Sequence, residues 1–196
     1  MTTEKHALVA FGANLKFGNI LPEQTICAAV AALSAEGLPV ARLSKLYQTP
    51  CFPAGAGPDY VNAAASIPLR HDQSAADVLA VLHRVEAQFG RERLQRWGMR
   101  TLDLDLLALG DSVLPDRETF LTWHDLPAQT QRSATPEQLI LPHPRLQDRG
   151  FVLVPLADVA PDWRHPVLYK TVMQMLQALP AEDVAQVIAL RPGASD

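Results

Sequence analysis

Apolar and polar residues recur along this chain with periods that mark its elements. His6 to Gly12 (HALVAFG) is a short apolar run closed by glycine, the pattern of a buried strand. Leu21 to Glu36 predicts a helix, with Pro22 suited to a first turn, alanines through its body and Gly37 as a stop. Val40 to Tyr47 alternates with a period of two, as a half-buried strand does, and Tyr60 to Leu69 reads as another strand. Ser74 and Asp77 have the spacing of a capping box and open a helix to Phe89, with Val78, Leu82, Val85 and Phe89 on one stripe. Thr101 to Leu109 (TLDLDLLAL) alternates strictly and predicts a strand, whereas Asp111 to Gln138 has no clear period and reads as a long excursion. Pro142-His143-Pro144 makes a stiff elbow, followed by an apolar segment from Arg149 to Ala160, a helix from Tyr169 to Leu179 and a closing strand from Val184 to Leu190. The order β-α-β-β-α-β with additions predicts an α+β, ferredoxin-like antiparallel sheet with helices on one face.

Composition narrows this picture. A length of 196 residues fits a single domain over 1–196, with residues 111–138 as an insertion and 180–196 as a C-terminal extension. Sixteen prolines against ten glycines predict stiff connections, above all in residues 48–59, where Pro50, Pro53 and Pro58 fall. The net charge of −4 argues against wrapping nucleic acid through global charge. Two cysteines, Cys27 and Cys51, make neither a disulfide framework nor a zinc knuckle and point to a reducing compartment. With no basic leader ahead of an apolar core and no apolar run of membrane-spanning length, the sequence reads as soluble and cytoplasmic.

Asp103-Leu104-Asp105 carries the strongest chemical signal. On a strand the two carboxylates share one face, about 6.6 Å apart along the chain, while Leu102, Leu104 and Leu106 hold the other face to a core. An isolated pair of this kind is often a solvated strand face. Here Arg91, Arg93, Arg96 and Arg100 put four guanidinium groups just upstream. Cations for outer phosphate oxygens beside hard oxygen ligands for Mg²⁺ are what a metal–polyphosphate ligand needs. Trp97 either stacks on a purine or packs under the arginine run, and an Arg/Trp run is also a way to grip single-stranded nucleic acid. Tyr60 and Asn62 share a face of their strand, where Asn62 either reads the edge of a heterocycle or ties down the preceding loop. His143 is a rigid phosphate donor or a plain turn residue, and His83 and Glu86 share a helix face three residues apart.

Taken in order, these segments resemble the 6-hydroxymethyl-7,8-dihydropterin pyrophosphokinase family of folate biosynthesis. The matching stretches are Phe11 to Leu15, Tyr47-Gln48-Thr49-Pro50, Pro58 to Ala63, Glu86 through Arg91, Arg96 to Asp105, Leu141 to Pro144 and Arg149-Gly150-Phe151. The resemblance implies transfer of pyrophosphate from ATP to the hydroxymethyl oxygen of the dihydropterin, releasing AMP. It implies two Mg²⁺ ions on Asp103 and Asp105, with Arg91 and Arg100 joining them as catalytic residues. Arg91, Arg93, Trp97, Arg100, His143, Arg149, Glu86 and His83 are then expected at ATP. Thr49, Pro50, Phe52, Tyr60, Asn62 and Phe151 are expected to form the pterin slot. The implied partners are these two small molecules; the charge and the apolar run lengths predict no nucleic acid and no membrane, and the lack of a long apolar heptad or obvious interface predicts a monomer. The chain departs from the family pattern at Ala13 (usually serine), at Cys51 and Phe52 in the pterin loop, at Met99 (usually proline), and in the long 111–138 connection.

Overall fold

Strand β1 (His6–Ala13) is an inner strand of the sheet, paired on both sides, and helices are arranged on the two faces of that sheet. The computed structural model describes residues 5–51, 55, 57–90, 101–127, 130 and 134–191. Helix α1 (Pro22–Ala35) follows β1, then the short strands β2 (Arg42–Leu43) and β3 (Tyr47–Thr49), and then β4 (Tyr60–Pro68). Helix α2 (Ala75–Gln88) leads to β5 (Asp103–Leu109). The excursion holds α3 (Arg117–His124), and the C-terminal part holds α4 (Gly150–Val159), α5 (Val172–Gln177), α6 (Ala181–Ala185) and β6 (Ile188–Ala189). The sheet order is β5-β1-β4-β3-β6, with β2 also on β4, and every pair is antiparallel. Its β5-β1-β4-β3 portion is the expected ferredoxin-like arrangement.

Side chains alternate across this sheet, and both faces are buried. Ala7, Val9 and Phe11 of β1 join Val61, Ala63 and Ala65 of β4 under α1 and α2. Leu8, Ala64, Leu107 and Ala108 form a second core under α4 and α5. Helices therefore cover both faces rather than one. The apolar segment from Arg149 onward supplies the second layer: α4 is apolar on most sides because it is packed between the sheet and α5.

Local chemistry explains the boundaries that differ from the sequence pattern. The strand expected over Val40–Tyr47 is interrupted after Leu43, where the Ser44 hydroxyl replaces a ladder partner and accepts the Ala64 N–H at 2.9 Å. The helix expected from Tyr169 begins at Val172, because Tyr169 has φ +58° and Thr171 and Gln174 form the capping box. In the closing strand, Val184 belongs to α6 and only Ile188–Ala189 pair. The expected box at Ser74 is present, its hydroxyl accepting the Asp77 N–H. Within the long connection, Leu114 and Leu141 pair backbone to backbone at 2.9 and 3.0 Å, closing a neck. Beyond it Phe120 packs with Ile140 and Val167 in a small separate core.

Candidate active site

One end of the α4-covered face lacks bulk. Gly12 of β1 pairs with Asn62 on one side and Asp103 on the other, and Ala10 pairs with Ala64 and Asp105. A Cβ at Gly12 would meet Asn62 Oδ1 at 3.4 Å and Asp103 Cβ at 3.9 Å, so both side chains rise on this face and flank the bare glycine. The period-two pattern of β5 thus places Asp103 and Asp105 on the gap while Leu102, Leu104 and Leu106 are held in the core.

The outer edge of β5 is fixed from two directions. Glu86 of α2 is buried, and its Oε1 accepts the Leu104 N–H at 2.8 Å, between the two aspartates. At Leu107 the carbonyl accepts the His143 N–H at 2.7 Å, which brings the Pro-His-Pro elbow beside the aspartate strand. These contacts occupy polar groups on the strand's open edge and set its position.

The elbow also determines what His143 can do. Its Nδ1 accepts the Arg145 N–H at 3.1 Å, leaving Nε2 to carry the ring proton. Desolvation, followed by the nearby charges of Arg149 and Arg145, pushes His143 down to about 3, against smaller upward effects from its own backbone hydrogen bond and from Asp103. In the free protein the imidazole is therefore a neutral donor. Arg149, at the start of α4, is also pulled below its ordinary value, by desolvation first; Asp105 and Asp103 oppose that shift and Arg145 adds to it. Its guanidinium carbon lies 5.6 Å from the centre of the Phe151 ring.

On the other side of the gap, Asn62 Nδ2 donates to Thr49 Oγ1 at 2.7 Å. Asn62 Oδ1 is left facing the bare strand as an acceptor. Asn14 is buried and donates to the Pro58 carbonyl at 3.2 Å, linking the loop after β1 to the loop before β4. Tyr60 begins the same strand face as Asn62, Pro50 is exposed after Thr49, and Phe151 projects with 41% of its surface exposed.

Thr49, Asn62, Asp103, Asp105, His143, Arg149 and Phe151 thus converge around one gap. Glu86, expected at ATP, is buried and accepts the Leu104 N–H from the backbone of β5. His83, three residues earlier on α2, is exposed, while Glu86 turns inward with the apolar stripe of the helix. Phe52, Arg91, Arg93, Trp97 and Arg100 lie outside the described residues. At the borders of residues 91–100, the Thr101 hydroxyl donates to the Phe89 carbonyl at 2.6 Å, tying the two flanks together next to β5. Arg117, a cation of the long connection, is turned away to the Val167 carbonyl and the Tyr169 ring. Sequence reasoning passed over Arg145; its place directly after the elbow was the available signal.

Two half-buried carboxylates on one strand face suit a hard cation that completes its shell with phosphate oxygens and water. Among the described residues no third His, Cys, Asp or Glu joins them in a closed metal cage. No helix among the described residues is long and apolar enough to cross a membrane.

Residues 8–161 match the family profile of 7,8-dihydro-6-hydroxymethylpterin-pyrophosphokinase (HPPK). The chain is 38% identical over 190 residues to a 2-amino-4-hydroxy-6-hydroxymethyldihydropteridine pyrophosphokinase of Pseudomonas aeruginosa, covering 95% of this chain and 96% of that protein. A Synechocystis protein of the same name is 36% identical over 187 residues, covering 95% of this chain and 81% of its own. Among solved structures, an HPPK-DHPS in complex with substrates superposes with a TM-score of 0.60 at 13% identity, over 90% of this chain and 43% of that one. The Plasmodium falciparum HPPK-DHPS gives 0.57 at 13% identity, over 89% of this chain and 44% of that one. The chain thus spans less than half the length of these two structures, and at such identity they speak to the fold alone.

Proposed function

The chain belongs to the 7,8-dihydro-6-hydroxymethylpterin-pyrophosphokinase family, and from that premise we propose how its residues transfer pyrophosphate from ATP to 6-hydroxymethyl-7,8-dihydropterin. The observation that carries the reading is the convergence of a carboxylate pair, a neutral histidine donor and an arginine on the gap over Gly12. Asp103 and Asp105 hold Mg²⁺, two ions being expected. Held there, the metal would supply neutralisation of developing charge and orientation of the phosphate oxygens. His143 donates from Nε2, and Arg149 offers its planar fork to phosphate oxygens. Arg91, Arg93 and Arg100 add positive charge, and Trp97 covers the nucleotide.

Asn62 Oδ1 accepts from the N–H edge of the pterin, with the Thr49 hydroxyl beside it. Pro50, Phe52, Tyr60 and Phe151 form the walls of the slot. The hydroxymethyl oxygen attacks the β-phosphorus of ATP, the bond from that phosphorus to the α–β bridging oxygen breaks, AMP leaves, and the hydroxyl proton passes to solvent. Catalysis here is positioning plus electrostatic stabilisation, as in other phosphoryl transfers. We read residues 1–196 as one catalytic unit with 111–138 as an insertion, working as a monomer in the cytoplasm. The free thiols of Cys27 and Cys51 support that compartment.

Incubation with ATP, Mg²⁺ and the hydroxymethyl dihydropterin is expected to yield AMP and the pterin diphosphate. Formation of ADP, or of no AMP, refutes the reading. Asp103→Asn and Asp105→Asn should each lower kcat by about 100-fold or more with Tm preserved; unchanged turnover removes them from the metal role.

A further inference from the structure

The elbow that delivers His143 also delivers a second cation, which neither the resemblance nor the sequence pattern nominates. Arg145 follows Pro144 and begins the one-turn helix over Leu146–Asp148. Both of its backbone polar groups are occupied: the N–H donates to His143 Nδ1 at 3.1 Å, and the carbonyl accepts the Asp148 N–H at 3.4 Å. These bonds fix where the residue starts. Its side chain is half-buried, with Nε out of contact with solvent and without a hydrogen-bond partner among the described residues. The charge also lies close enough to His143 and Arg149 to disfavour a proton on each.

A guanidinium with a desolvated, unmatched N–H beside a second guanidinium is costly in the free protein. Arginine keeps its charge under all working conditions, so the cost is not relieved by losing a proton. A polyanion entering between the two arginines relieves it, matching the open N–H and screening the repulsion together. The neighbouring groups already define where such an anion goes: Asp103 and Asp105 on one side, His143 Nε2 and Arg149 on the other.

Resting on the pyrophosphokinase reading, we propose that Arg145 is a further phosphate-binding residue of the nucleotide site, acting with His143 and Arg149 as one row of donors along residues 143–149. Because its position is set by the same hydrogen bond that fixes the His143 tautomer, the two donors are presented as a unit.

The test compares the full chain with Arg145→Gln and Arg145→Lys, titrated with a non-hydrolysable ATP analogue plus Mg²⁺ and, separately, with adenosine, which lacks phosphate. Thermal unfolding is recorded without ligand. Arg145→Gln is expected to weaken the ATP analogue 10- to 100-fold and adenosine less than threefold, with Tm unchanged or raised as the repulsion is relieved. Arg145→Lys, which keeps the charge but loses the fork, is expected within about tenfold of wild type for the analogue. Analogue binding within twofold of wild type in Arg145→Gln overturns the proposal. So does an equal loss for analogue and adenosine, which marks a structural role. Should Arg145→Gln fail to fold, Arg145→Met, which keeps the apolar stem and removes the charge, carries the same comparison with the same thresholds. Wild-type protein that binds the analogue yet forms no AMP would refute the transfer reading while leaving this test intact.

Discussion

At Gly12 strand β1 carries no side chain, and the two groups beside that space, Asn62 Oδ1 and the Asp103 side chain, flank it from the neighbouring strands on either side. One Cβ fits at ordinary contact distance, so Gly12→Ala should be tolerated, whereas Gly12→Val projects two methyl groups into the gap proposed for the substrates. We expect Gly12→Val to lower kcat/KM at least 100-fold without lowering Tm, since valine favours a strand; steady-state kinetics beside thermal unfolding decide it. Glu86 acts from behind the same strand. Glu86→Ala leaves the buried Leu104 N–H without its acceptor and should cost about 1–3 kcal/mol in urea denaturation, while Glu86→Gln, which keeps an acceptor oxygen, should cost less. Far from the site, His165 is fully buried and its Nδ1 accepts the N–H groups of Val167 and Leu168, both at 3.2 Å. Desolvation first, and the His124 charge second, push it down to about 4. Its folded value lies below its unfolded one, so the unfolded chain binds the extra proton between them. Stability is therefore full above about pH 6.5 and falls as pH drops toward 4. His165→Asn should flatten the Tm-against-pH curve in that window.

Among the elements, α4 links fold to chemistry most directly. Arg149 caps its start and Phe151 lies in its first turn, while Gly150 between them is pressed against α6: a Cβ there would lie 3.2 Å from the Asp183 carbonyl oxygen and 3.6 Å from Val187 Cγ2. Gly150→Val should displace that contact, raising KM for both substrates several-fold and lowering Tm by a few degrees, whereas unchanged KM would show that α6 does not position this turn. The other end of α4 is tied to the sheet through Asp158, whose Oδ2 accepts the Tyr47 hydroxyl at 2.8 Å and the Lys45 N–H at 3.1 Å. The strand carrying Asp103 and Asp105 was readable from strict alternation, and the capping box of α2 from two residues. The role of Glu86 was not, because its partner is a backbone N–H on a strand eighteen positions away and no local pattern encodes that meeting. The interruption after Leu43 was hidden for the same reason, since a serine in an alternating run does not disclose that its hydroxyl will serve as a ladder acceptor.

For the molecule as a whole, the two-faced sheet separates support from chemistry. α1 and α2 pack a continuous core on one face, and the other face is closed by C-terminal helices except where Gly12 and Ala10 leave room. Sequence order made the sheet legible, but not that the apolar segment after Arg149 would cover its second face, because an all-apolar run fixes burial without fixing against what. The 111–138 connection returns to its own neck at Leu114 and Leu141, and α3 packs on Val167 rather than on the carboxylates. Replacing residues 116–139 by a short turn should therefore lower Tm while leaving both KM values within twofold.

The wall bearing Thr49 is the short strand β3, whose neighbours are β4 on one side and residues 188–189 on the other. Gln48 and Tyr47 thus gain their second strand from residues far downstream of them, and Gly150 likewise meets α6, which follows it in the chain. On the ribosome, the carboxylates and the asparagine emerge before the strand that pairs with the outer side of β3, so the edge of the Thr49 strand stays open until synthesis has passed Ala189.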